Sequence, residues 1–185
     1  MKKPYTWKSA ALALPVTMLP ALGAAQGTES GTALVDVVRR ATNAFQDPEA
    51  ATAAGYAPSF GCVSGPLGGA MGLHLVNGDL VGDGGLDAER PEALLYEERN
   101  GRLRLLGVEY VVLAEEWDAR NAGPPALLGQ AFHFTGSPNR FRLPAFYALH
   151  VWAWRHNPAG TFADWNPRVS CNEHTAETPP ESGER

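Results

Sequence analysis

Three histidines and one glutamate in the middle of the chain set the chemical question. His74, His133 and His150 each fall inside a run that reads as a β-strand, and Glu109 falls deep in a fourth. Imidazoles and a carboxylate converging from neighbouring strands can hold a transition metal ion such as Zn, Cu, Fe or Mn, according to the geometry they form. Each histidine alone serves equally well as a hydrogen-bonded core residue. No H-x-H or H-E-x-x-H spacing joins any two of them locally, so a shared site depends on the fold. Glu109 can be satisfied in three ways: by a metal ion, by His or Trp N–H donors, or by water on an open face. A bare buried carboxylate is too costly to be a fourth. Nucleophilic chemistry has less support, because Ser64 and Ser170 stand outside any G-x-S-x-G. No catalytic residue is assigned.

The strand that must present His150 is the alternating run at Phe146–Trp154. Phe146, Ala148, His150, Trp152 and Trp154 point to one side, and Tyr147, Leu149, Val151 and Ala153 to the other. Both sides are apolar, as in a central strand covered on both faces. Trp152, Trp154 and Tyr96 are the candidates for an aromatic wall. That wall would either keep a metal site dry or bind an apolar or carbohydrate ligand. A structural secreted module with no site is the remaining alternative.

Around this strand, Ala93–Glu98 and Arg102–Val112 flank Asn100-Gly101, the strongest short signal for a hairpin with a type I′ turn. The turn sets Arg99 opposite Arg102, Glu97 opposite Arg104 and, carried further, Glu92 opposite Glu109. Glu97 and Arg104 are then expected to form a surface cross-strand ion pair, and Leu103, Leu105 and Val111 to share the face of Glu109. Leu73–Asn77 and Gln130–Phe134 read as further strands. Leu34, Val37, Val38, Ala41 and Phe45 recur at helical spacing, and Asp47-Pro48-Glu49 starts a second helix ending near Gly55. A third short helix is expected over 114–121. Tyr56 to Gly72 reads as irregular, and Asn77 to Arg90, with Asp79, Asp83 and Asp87, as a solvated loop without EF-hand spacing. No Lys-Ser/Thr follows Gly68-Gly69, so the glycines make no P-loop. The expectation is one α+β domain over residues 26–171. Its short N-terminal helices would pack on a mainly antiparallel sheet of four or five strands, curving toward a barrel.

Residues 1–25 have the basic start, apolar centre and small-residue end of a cleaved secretory signal peptide. Pro15 and Pro20 interrupt an apolar run too short to span a bilayer, and nothing later is long enough, so no membrane span is expected after cleavage. The chain carries a net charge of −5, and losing Lys2, Lys3 and Lys8 brings it to about −8, which argues against a nucleic-acid partner. Cys62 and Cys171 are the only cysteines, and in a secreted or periplasmic protein such a pair reads as a disulfide rather than two metal thiolates. Residues 172–185, polar and proline-containing, read as a disordered tail, with His174 and His156 merely exposed.

GAMGLHLVN, RPEALLYE, GVEYVV, FHF and LHVWAWRHNPAGTFADWNP followed by Cys171 together resemble a family of small exported bacterial proteins. These motifs span most of residues 62–171, so the likeness is to a whole domain; it implies export and no particular activity. A fainter likeness joins LLYE…LLGVEYVV to the oil body-associated proteins. The paired histidines of that family are absent here, so nothing functional comes from it.

Overall fold

The computed structural model describes residues 23–65 and 69–174. Residues 1–22 of the expected signal peptide and 175–185 of the expected tail lie outside the described residues. Helix α1 (Gly23–Thr42) and a 3-10 turn at Asn43–Gln46 lead into α2 (Pro48–Ala53). As the sequence suggests, Asp47 caps α2 by accepting the Glu49 N–H, Pro48 opens it and Gly55 ends it at φ 92°. The remaining elements are β1 (Ala57–Ser64), β2 (Ala70–Val76), α3 (Gly78–Asp83), β3 (Ala93–Arg99), β4 (Arg102–Leu113) and α4 (Ala114–Asp118). After these come β5 (Ala126–Leu127), β6 (Gln130–Ala131), β7 (His133–Thr135) and β8 (Phe146–Val151).

Six strands form one curled, half-barrel antiparallel sheet in the order β1-β2-β3-β4-β8-β7, with β5 and β6 as a separate small hairpin. The α+β architecture is as expected, with more strands than the sequence suggests. β1 lies in the stretch read as irregular: Pro58 suits an edge strand, and a bulge at Phe60-Gly61 breaks the alternation. α3 replaces the expected loop because Asn77 accepts the N–H groups of Asp79 and Leu80, and Gly84 closes the turn in the left-handed conformation.

The hairpin turn forms at Asn100 (φ 53°) and Gly101 (φ 68°), and the register next to it is the expected one, including Glu97 opposite Arg104. Beyond Tyr96↔Leu105 the ladder shifts, so that Leu95 faces Gly107 and Ala93, not Glu92, faces Glu109. Leu106 is the extra residue of this bulge. It breaks the alternation along β4, and Leu105 therefore joins the helix-side core instead of sharing Glu109's face. The expected Glu97–Arg104 surface pair gives way to a buried carboxylate. Glu97 accepts the Ser170 N–H at 3.2 Å and lies 3.7 Å from Arg99 Nε.

One face of the sheet packs Leu73, Leu75, Leu94, Tyr96, Val108, Tyr110 and Leu149 under Leu34 and Val38 of α1 and Ala51 of α2. Here Tyr96 donates its hydroxyl to Phe45 O at 2.7 Å, the usual answer to a buried phenol. The other face carries the histidines. A smaller cluster of Ala70, Leu95, Leu106, Trp152 and Val169 covers part of it, held by the Cys62–Cys171 disulfide, Cα–Cα 5.7 Å. Gly107 is required where β4 passes β8, because a Cβ there would collide with the Val151 carbonyl.

Candidate metal centre

The ladder places Glu109 directly opposite His150, β4 against β8. His74 reaches the same carboxylate from β2, two strands away, across the small Ala93 of β3. Residues paired across an antiparallel ladder share a face, so the alternation of β8 sets His150 toward the side where Glu109 lies. The His74 Nε2 is 3.4 Å from Glu109 Oε2, and the His150 Nε2 is 3.7 Å from Glu109 Oε1. All three residues are buried, and one ligand atom from each lies within 4.8 Å of the others.

These separations decide between two readings. A charge-assisted N–H···O bond is about 2.7–2.9 Å long, clearly shorter than either contact. Two atoms each bonded at about 2.0–2.1 Å to a tetrahedral ion stand about 3.3–3.4 Å apart. The His–Glu contacts fit the second spacing better than the first. The buried Nδ1 of His74 and Nε2 of His150 have no hydrogen-bond partner, and His150 Nδ1 has only the Asp164 carboxylate at 3.4 Å, an expensive arrangement for an ordinary core.

His133 is not part of this group. It sits on the edge strand β7 with a 57% exposed side chain, opposite Ala148, and bonds Asp164 at 2.9 Å. Asp164 is the site residue the sequence does not point to. Its Oδ1 also lies 3.4 Å from His150 Nδ1, on the side away from Glu109. The loop after β8 folds back to bring it there: the Trp152 amide donates to Thr161 O and its indole N–H to Ala163 O. Asp164 lies in a loop, without periodicity, so only its place in the ADWNP run could have marked it.

Of the three aromatic candidates, Trp152 alone adjoins the histidines, its ring near-parallel to His150 with centroids 6.4 Å apart. β8 ends at Val151, and the Ala153 N–H turns back to the Val151 carbonyl. That turn sends Trp154 to the helix side, where its indole donates to Thr42 Oγ1 of α1. Tyr96 is likewise on the helix side. His174, expected to be merely exposed, is half-buried and lies 3.4 Å from Glu98.

Burial works against charge on Glu109, yet the nearby His150 and His74 hold its carboxyl below the ordinary range. Burial likewise disfavours the His150 imidazolium, but Glu109 and Asp164 outweigh it and push the group up. Asp164, also opposed by burial, is held at about 2 by His150 and His133. Acid and base here are therefore strongly coupled.

A cavity of about 250 Å³ opens beside His74 and Glu109, with Glu92 at its other polar edge. Burial pushes Glu92 up to about 8, against the pull of the Val111 N–H that its Oε2 accepts at 3.0 Å. Between its ordinary 4.5 and 8 the folded protein keeps this proton while the unfolded chain has lost it. Stability must then fall as pH rises through that window, by on the order of 5 kcal/mol for this one group. Urea midpoints of wild type and Glu92→Gln should diverge from pH 5 to pH 9, with the variant flatter; parallel profiles would refute a buried neutral Glu92.

Compared with known proteins, the chain matches no protein-family model, no curated protein and no solved structure. Among the described residues no helix is long and apolar enough to cross a membrane.

Proposed function

We propose that the protein is a secreted or periplasmic metal-binding protein, holding one divalent transition metal ion through His74, Glu109 and His150. The observation that carries this is the placing of the buried His74 and His150 Nε2 atoms around one carboxylate at ligand–ligand rather than hydrogen-bond distance, with His150 Nε2 left without a hydrogen-bond partner. Two histidines and a carboxylate suit Zn, and with more open positions Fe(II) or Mn(II). Asp164 acts behind His150, orienting the ring and raising its basicity as carboxylates do for metal-bound imidazoles. His133 steadies Asp164 from the surface. Three protein ligands leave at least one position free, and the cavity lies beside two of them. The bound ion would then supply Lewis acidity to a small ligand, with Trp152 and Leu95 keeping water from the far side. The signal-like N-terminus and the disulfide support the compartment.

Cobalt(II) gives this reading a direct optical test. Titrated into the metal-free chain, it should produce visible d–d bands that saturate at one ion per chain. Glu109→Gln keeps the shape of the side chain but removes its charge, and should weaken binding at least about a hundredfold. Bands unchanged in Glu109→Gln would place the ion elsewhere.

A further inference from the structure

The cavity beside the centre limits what the ion can meet. Its wall is mainly apolar, with Val76, Val111, Leu113, Leu143, Phe141 and Phe146 among the residues lining it, and its polar side chains are His74, Glu109 and Glu92. A sugar would bury hydroxyls against that wall without partners, so a carbohydrate does not fit. An apolar cavity of about 150 Å³ takes up benzene, so about 250 Å³ has room for roughly ten non-hydrogen atoms.

The mouth is aromatic. Phe60 is 49% exposed and held at φ 64° by the β1 bulge, a conformation that bulky residues rarely adopt and that clusters at binding sites. Its ring meets Phe141 edge-on at 5.6 Å, and Phe141 meets Phe146 at 6.0 Å, continuing the apolar path inward.

Charge selects the other end of the ligand. A divalent ion bound by two neutral imidazoles and one carboxylate keeps a net single positive charge, so the free position favours an anionic oxygen. We infer that the cavity binds a small monocarboxylate of about ten non-hydrogen atoms. Its hydrocarbon part lies among Val111, Phe141 and Phe146, and its carboxylate caps the ion on His74, Glu109 and His150. This inference rests on the proposed metal centre.

Octanoate, about that size, is the probe, titrated calorimetrically into the full chain with and without zinc, beside uncharged 1-octanol. The zinc-loaded protein should bind one octanoate per chain. Removing zinc should weaken octanoate at least about tenfold and leave 1-octanol unchanged. Val111→Phe, which fills the cavity, and Phe141→Ala, which opens its mouth, should each weaken both probes at least about tenfold with zinc content intact. Zinc retained without octanoate binding, or with binding equal in both variants, overturns this inference and leaves the metal centre standing. If zinc is not retained while 1-octanol still binds and Val111→Phe blocks it, the metal reading falls, and the proposed carboxylate contact with it.

Discussion

Reducing the Cys62–Cys171 disulfide, or replacing both cysteines by serine, should lower unfolding free energy by about 4–5 kcal/mol. The bridge spans 109 residues, and closing a loop of that length removes roughly this much chain entropy from the unfolded state. The native contacts point the same way. The bridge fastens edge strand β1 to the segment carrying Val169, which packs on Trp152, Leu95 and Leu106. That segment also pairs with Ala70 through Asn166, in both directions of the backbone. Asp164 lies two residues before Asn166, so reduction should also loosen the group behind His150. Urea unfolding with and without reductant checks this, and coincident curves would show that the bridge contributes nothing.

Metal affinity should fall steeply in mild acid. Each ligating imidazole must give up its proton, and His150 holds its proton more firmly than a free histidine because Glu109 and Asp164 outweigh the effect of burial. Protons therefore compete for His150 already above about pH 6.5, the ordinary value. From there down, the apparent dissociation constant should rise about tenfold per pH unit for this ligand alone. Asp164→Asn removes one of the two carboxylates that favour the imidazolium, so its pH profile should shift to lower pH, while the loss of His150's orienting partner weakens binding about tenfold or more at neutral pH. Competition against a chelator of known affinity from pH 5.5 to 8 reads both effects. An affinity constant over that range would exclude histidine ligands.

Much of this arrangement is legible in local chemistry. Asn100-Gly101 can hardly be anything but a tight hairpin, and it sets the pairing of β3 with β4 as far as Tyr96↔Leu105. The alternation of Phe146 to His150 puts one histidine on the face where it is found, and two cysteines leave only one possible pairing within the chain. Long-range contacts decide the rest. The bulge at Leu106 has no marker of its own, yet it moves Glu109 from opposite Glu92 to opposite Ala93 and puts Leu105 on the far side. Trp154 keeps to the alternation of β8 on paper, but the turn after Val151 and its bond to Thr42 take it to α1. His133 shares the sheet face with His150 and stops short of the ligand group because its strand is the exposed edge. Asp164 takes the place expected of His133 beside His150, and it arrives there only because a loop returns over the strand end.

Elemental analysis of the chain purified without an affinity tag from its native compartment tests the metal centre most directly. The comparison needs His74→Ala, His150→Ala and His133→Ala beside the wild type. The account predicts about one transition metal ion per chain in the wild type and in His133→Ala, and less than about a tenth of that in the other two. No metal in any of the four proteins, with His150→Ala merely less stable, would make His74, Glu109 and His150 a buried polar cluster and contradict the account.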